Sequence, residues 1–308
     1  MEYDVKRISK ERRVEPQYIE KVLRISDVLK RISSVAFLHK RLSLYGGTAL
    51  NFIYFPGLPR LSFDLDFNYR QVSDADWGNE RDEIDRQLKL LLGDLGYKNI
   101  AIQPTYPLLR MDIKYVGVKG MKDSFKIEIG YLRRMPILRN DGLADFNHIG
   151  NNEQIKVHTP MKEELFSNKI ATLLARKKSI DLFDVSIIST IDFNWKLVKK
   201  CFAIESIMLG FNPLEIDISV FLEKISLDDY LKMRLKDRYL PDKMYKDVEE
   251  LLERLFNDMD KKYGEFIQSF YRDGKLKYQL LDDQDFNPHL MHHPLILWML
   301  EKKHEKQY

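Results

Sequence analysis

The sequence predicts an α+β fold, with a sheet-bearing amino-terminal half followed by a mainly helical carboxy-terminal half. Three observations predict it. Residues 61–69 alternate strictly, with Leu61, Phe63, Leu65 and Phe67 on one side and Ser62, Asp64, Asp66 and Asn68 on the other. That is a strand with one buried face. Three more β-like stretches follow in the same half, at 98–103, 108–118 and 124–131. From Pro160 onward, by contrast, the apolar residues recur almost throughout at helical spacing. A chain of 308 residues suits two domains at ~100–200 residues each. The expected boundary gives a core domain over 1–155 and a helical domain over 156–308.

The elements follow in order. Pro16 suits a first helical turn, and Ile19, Val22, Leu23, Ile25, Val28, Leu29 and Ile32 carry the period of a helix over 16–36. A short strand, 42–45, runs into Gly46-Gly47-Thr48. A brief helix over 49–54 is then stopped by Pro56, Gly57 and Pro59. Residues 79–95 are helical in period and end at Gly96. A turn at Gly120 joins the strands on either side, and the polar stretch 140–152 reads as a loop or linker. Helices are expected at 161–177, 181–190, 193–209, 216–223, 227–236, 242–271 and 294–304. There are no internal repeats or low-complexity tracts.

Composition narrows the class. The apolar fraction is 44 % and the charged fraction 31 %, which excludes a disordered chain, a collagen-like fibre and a disulfide-stapled miniprotein. Fifty Lys and Arg against 47 Asp and Glu leave a net charge of +3, too small to declare a nucleic-acid partner. Cys201 is the single cysteine, so no intramolecular disulfide is expected. Residues 1–13 are charged throughout and lack the apolar core of a signal peptide. No apolar run approaches the ~20 residues that cross a bilayer. A soluble cytoplasmic protein is expected.

The chemistry concentrates on the polar side of the 61–69 strand. Asp64 and Asp66 point the same way, ~6.6 Å apart along the backbone. Two adjacent carboxylates repel, and each raises the other's pKa unless a cation lies between them. A divalent cation removes the conflict, and oxygen-only ligation favours Mg²⁺. Upstream, a strand ending in Gly46-Gly47 before a helix brings backbone N–H groups and the helix dipole toward an anion, and Thr48 adds a hydroxyl. A metal pair and a phosphate cradle are the parts that phosphoryl-type transfer needs. Glu128, between apolar neighbours on a later strand, is the favoured third carboxylate, with Asp112 as its rival.

A second group lies on the helix expected at 161–177. Leu165, Phe166, Ile170, Leu173 and Leu174 form its apolar face, and Lys169 falls at the edge of it. Lys162 and Arg176, seven residues away on either side, share a drifting stripe with it. Asp181 and Asp184 lie three apart on the next helix. Asp181 suits a helix start, whereas Asp184 is deeper in the apolar pattern and needs a partner, for which Lys169 or Arg176 qualifies.

Gly46-Gly47-Thr-Ala-Leu followed by Ser62-x-Asp64-x-Asp66 resembles the first motif of nucleotidyltransferases related to DNA polymerase β. Glu164 to Asp184 narrows the resemblance to the AbiEii/AbiGii toxins of type IV toxin–antitoxin and phage-defence systems, over roughly residues 20–250. The resemblance implies a polymerase-β-like sheet with flanking helices. It also implies a nucleotidyltransferase that uses an NTP with Mg²⁺ or Mn²⁺. Asp64, Asp66, Lys169 and Asp184 would be its catalytic residues, with Glu128 as base or ligand. Gly46, Gly47, Thr48, Ser62, Lys169 and Arg176 would bind nucleotide, and Asp64, Asp66 and Glu128 would hold metal. Members of the family act as toxins, some by adding nucleotides to the tRNA 3′ end and so blocking translation, and a cognate antitoxin is the expected partner. Transfer to a small molecule or protein hydroxyl, and an inert interaction module, are the alternatives. Basic clusters at Arg133-Arg134, Arg176 to Lys178, Lys196 with Lys199-Lys200, and Lys302-Lys303 would meet an RNA backbone if they shared a face with the site. No aromatic residue is assigned to base stacking.

Overall fold

The computed structural model describes the chain apart from residues 1–2, 73–75, 140, 152, 233–234, 236–240, 260, 282–283 and 306–308. It divides into two compact units. The first comprises Met1–Met135 and Gly142–Pro160. The second comprises Pro136–Asp141 and Met161–Tyr308.

The first unit is built on a seven-stranded sheet. Its strands are β1 (Leu42–Tyr45), β2 (Asp64–Tyr69), β3 (Asn99–Thr105), β4 (Leu108–Val116), β5 (Lys122–Gly130), β6 (Asp141–Asn147) and β7 (Gln154–Pro160). Their spatial order is β3-β4-β5-β2-β1-β7-β6. β2 lies at the centre, antiparallel to β1 and parallel to β5. Its residues alternate as the sequence requires: Leu65, Phe67 and Tyr69 are buried, and Asp64, Asp66 and Asn68 are half-buried. β4 and β5 show the same two-residue period. The sheet therefore has one apolar and one polar face.

Helices cover the apolar face. They are α2 (Pro16–Ser34), α3 (Ala36–Arg41) and α5 (Trp77–Asp94), with α1 (Val5–Arg12) packed on α2, while the short α4 (Gly46–Ala49) continues through a π-turn over Leu50–Tyr54. α2 packs against β2, β5 and β7. It buries Ile19, Val22, Leu23, Ile25, Val28 and Leu29 almost completely, each contributing ~1.5–3 kcal/mol. The hydroxyls of Tyr69 and Tyr131 reach Glu80 and Asp85 on α5 and fasten that helix to the sheet.

The second unit is helical, with α6 (Lys162–Arg176), α7 (Ser179–Ile188), α8 (Trp195–Met208), α9 (Ile218–Glu223), α10 (Asp229–Lys232), α11 (Pro241–Asn257), α12 (Lys261–Asp273) and α13 (Pro294–Glu305). α6 packs on α7 and α8, and α12 on α8. Ile204, Ile207, Phe266, Ile267 and Phe270 centre its core. Residues 136–141 belong with these helices because Glu164 accepts hydrogen bonds from the amides of Ile137 and Leu138, at 3.0 and 3.1 Å.

Three elements differ from the sequence expectation, and a fourth, β7 (Gln154–Pro160), lies where no strand was expected. Asp141–Asn147, expected within a loop, forms β6 at the end of the sheet. An end strand pairs on one side only and tolerates a polar composition. Phe146 supplies its anchor, fully buried and stacked on Phe52 at 4.9 Å. The single helix expected over 242–271 is two, α11 and α12, and the Asp258 carbonyl near the break accepts from the Lys199 ammonium. The charged start of the chain holds α1, which Asp4 caps through the Arg7 amide and which buries Val5 and Ile8. The helix expected over 227–236 is seen as α10, with 233–234 and 236 outside the described residues.

Candidate active site

On the sheet, the register fixes which polar side chains share a row. Asp66 of β2 stands opposite Tyr45 of β1 and Glu128 of β5, and Glu128 stands opposite Arg110 of β4. One step along, Asp64 lies opposite Lys126, and Lys126 opposite Asp112. Residues directly opposite one another in a sheet point to the same side. Asp64, Asp66 and Glu128 therefore rise from the same polar face, with Glu128 one strand from Asp66 and Asp112 two strands from Asp64. Lys126, which the sequence reading passed over, stands between the two aspartates of its row. Its place on the alternating β5 was legible, but its neighbours depend on a parallel pairing that the sequence does not reveal.

The glycine turn packs directly against these carboxylates. Gly46 has φ +69°, a left-handed conformation that glycine adopts without strain. A Cβ there would stand 2.3 Å from Asp66 Oδ2. Both demands select glycine. A Cβ on Gly47 would lie 2.4 Å from Arg60 Nη2 and 3.2 Å from Ser62 Oγ. Arg60, also missed from sequence, is 2 % exposed and packs its guanidinium beneath this turn. Thr48 is fully buried, donates to the Asp64 carbonyl and lies 2.9 Å from Ser62 Oγ. Thr48 and Ser62 thus tie the glycine turn to the start of β2 and set the height of Asp64.

Arg110 grips Glu128 from the neighbouring strand. Its Nε and Nη2 both reach Oε1, at 2.7 and 2.6 Å, while Oε2 makes no hydrogen bond among the described residues. Among the described residues, no group of three or more His, Cys, Asp or Glu is placed to hold a metal ion. What the face offers is a pair of half-buried carboxylates, Asp64 and Asp66, with Glu128 beside one of them. That donor set fits Mg²⁺, which takes one or two protein carboxylates and completes its shell with water and substrate phosphates.

The second unit brings together the residues expected on its two helices. Lys169 Nζ lies 3.0 Å from Asp181 Oδ1 and 3.0 Å from Asp184 Oδ2. Both aspartates are fully buried and Lys169 is 7 % exposed. Arg176, half-exposed, forks onto Asp181 at 3.0–3.3 Å. The partner Asp184 needs is thus Lys169, and Arg176 serves Asp181. Burying charges costs several kcal/mol per ion unless they are paired and hydrogen-bonded, which explains why two cations meet two carboxylates here. Lys162 does not join them, for its ammonium donates to the Asp192 carbonyl. Lys200, expected in a basic surface cluster, is fully buried against Asp285.

No helix among the described residues is long and apolar enough to cross a membrane. No curated protein matches the chain. Among solved structures the fold is similar to MenT4, a nucleotidyltransferase toxin of Mycobacterium tuberculosis, with a TM-score of 0.67 and 15 % identity over 90 % of this chain and 97 % of that one. The model of the AbiEii nucleotidyltransferase toxins of type IV toxin–antitoxin systems matches residues 27–276. With its glycine turn, its aspartate pair and its lysine helix all inside that match, the chain belongs to the AbiEii family and is a nucleotidyltransferase toxin.

Proposed function

We propose that this toxin transfers a nucleoside monophosphate from an NTP to the 3′ end of an RNA, tRNA first among them, in a Mg²⁺-dependent reaction that blocks translation. The observation that carries the reading is the row of half-buried carboxylates on the sheet, Asp64 and Asp66 beside Glu128, packed against a glycine turn. In the reaction the acceptor oxygen attacks the α-phosphorus of the NTP. A phosphodiester bond forms, the bond to the β-phosphate bridge breaks, and pyrophosphate leaves. Asp64 and Asp66 would hold Mg²⁺ or Mn²⁺, which when bound supplies Lewis-acid stabilisation of the phosphate charge. Glu128 accepts the acceptor's hydroxyl proton at Oε2, while Arg110 keeps Oε1 occupied and the carboxylate oriented. Gly46 and Gly47 leave room for phosphate oxygens to approach the backbone, and buried Arg60 adds positive charge beneath them.

For Lys169 we take the role that the family resemblance gives it, a cation for the nucleotide's phosphates. Asp181 and Asp184 hold its ammonium, and Arg176 shares the charge of Asp181. The family implies an NTP as substrate and an antitoxin as partner. Phage defence in the cytoplasm is the setting we infer for the pair.

The test is incubation of the purified protein with Mg²⁺, each labelled NTP in turn, and total tRNA, beside an Asp64→Ala control. Label entering RNA only with Asp64 intact supports the reading and names the nucleotide. Label entering a small molecule or a protein, or no NTP binding at all, overturns it.

A further inference from the structure

An aromatic and cationic cluster stands in the first unit beyond the ends of β2 and β5, and nothing described so far uses it. Trp77 opens α5, and its ring is 5.6 Å from that of Tyr106, in the turn between β3 and β4. Arg134 lays its guanidinium 4.0 Å from the Trp77 ring centre, and Arg81 lies 5.9 Å from it. Tyr106 is 54 % exposed, while Trp77 and Arg134 are half-buried. The arrangement is built. Arg134 donates to the Tyr131 carbonyl at 2.9 Å, and its own carbonyl accepts from the Gln71 amide at 3.0 Å. The Tyr131 amide donates to the Pro107 carbonyl at 2.9 Å, next to Tyr106.

The charges favour an anion. Arg81 is paired with Asp82, but Arg134 has no carboxylate partner among the described residues. The adjacent Arg133 extends the positive charge the other way. Its guanidinium lies 6.0 Å from the ring of Tyr45, and Tyr45 stands opposite Asp66 in the sheet. Two successive arginines therefore reach from the carboxylate row to the exposed tyrosine. From Asp66 to Tyr69, where β2 ends, the strand runs ~10 Å at ~3.3 Å per residue, a length that a few nucleotides can span.

We propose that Tyr106, backed by Trp77 and Arg134, is a stacking platform for a base of the single-stranded RNA acceptor, with Arg133 and Arg134 following its backbone toward Asp66. The proposal rests on the RNA-acceptor reading above and adds the place where that acceptor binds. Single-stranded RNA is the partner with the matching chemistry: flat bases for an exposed ring and a polyanionic backbone for the Arg134 guanidinium, which meets no carboxylate among the described residues. Trp77 buttresses the tyrosine, and its cation–π contact with Arg134 keeps the guanidinium extended in the absence of ligand. A protein partner would gain from an apolar patch, whereas this cluster carries charge at its centre.

The test uses the full chain carrying Trp195→Phe and Trp298→Phe, which leaves Trp77 as the last of its three tryptophans. Titration with a short single-stranded oligoribonucleotide bearing a free 3′ hydroxyl is expected to change Trp77 fluorescence. Tyr106→Ala and Arg134→Ala should each weaken RNA binding by roughly five- to hundredfold, the range of one lost base stack. Arg134→Ala should also flatten the dependence of log affinity on log salt by about 0.7. Trp77→Phe, which keeps a ring, should retain most of the affinity. NTP binding measured without RNA, and the melting temperature, should stay at wild-type values in every variant. Wild-type RNA affinity and KM for RNA in Tyr106→Ala, in an enzyme that still labels RNA, would overturn the platform and leave the proposed function standing. Transfer to a non-RNA acceptor by the wild-type protein would overturn both, as would capture of a protein in place of the oligonucleotide.

Discussion

The two charged centres of this toxin solve opposite problems. On the sheet, Asp64 and Asp66 are like charges held side by side and half open to solvent. In the helical unit, Lys169, Asp181 and Asp184 are opposite charges, largely buried and paired with one another. Under the proposed function, a divalent cation joins the first arrangement. The second is paired within the protein and ties α6 to α7. A residue of the sheet centre can therefore be removed at the expense of chemistry, while removing a member of the helical centre costs the fold first.

Substitution separates the two, and the largest effect is expected at Asp64. Asp64→Ala should lower nucleotidyl transfer by about 10³-fold or more, since one of the two carboxylates proposed to hold the metal is lost. Its melting temperature should hold or rise, because one of two repelling carboxylates is gone. A large fall in melting temperature would break the comparison. Next comes Lys169→Ala. It strands two buried carboxylates, one of which retains Arg176, and should destabilise the protein by about 3–5 kcal/mol in denaturant unfolding. Lys169→Met combined with Asp184→Leu should recover much of that loss without restoring activity, because a buried pair can be exchanged for apolar packing.

Gly46→Ala has a smaller effect on stability. Its left-handed backbone and the 2.3 Å approach to Asp66 Oδ2 should cost about 1–3 kcal/mol. The variant should also lose transfer activity, because Asp66 must move to admit the methyl group. A fully active Gly46→Ala would show that the position of Asp66 is not critical. Smallest in stability is Arg110→Ala, which breaks a partly exposed pair with Glu128 worth at most about 1 kcal/mol. Its effect should fall on turnover, with NTP affinity unchanged, if Arg110 orients Glu128 for proton transfer.

The sequence made the sheet centre legible because a strand's period is short and its consequences are local. Alternation over 61–69 placed Asp64 and Asp66 on one face before any pairing was known. It placed Glu128 on an amphipathic strand without giving its neighbours. That Arg110 holds Glu128, and that Lys126 lies beside Asp64, follow from the register of β4, β5 and β2, which is a long-range property. Arg60 escaped notice for a similar reason: its burial depends on the room that Gly47 leaves above it. In the helical half, the depth of Asp184 in the apolar pattern called for Lys169 or Arg176 as its partner, and the structure pairs it with Lys169 while Asp181 takes both cations. Charge alone misled where packing decided. Lys200 looked like part of a basic surface, yet its side chain is buried and pairs with the exposed Asp285. The polar run 140–152 concealed a strand because an edge position asks for little apolar surface.

Under the proposed function, the polar face of the sheet holds the metal-bound nucleotide through Asp64 and Asp66. The most direct test is calorimetric titration of Mg²⁺ and NTP into the wild-type protein, Asp64→Asn and Asp66→Asn, with melting temperatures taken on the same preparations. Binding by the wild type, a loss of at least tenfold in affinity in each variant, and no loss of thermal stability are expected. Wild-type affinity in both variants would contradict that placement and move the metal-bound nucleotide to another part of the protein.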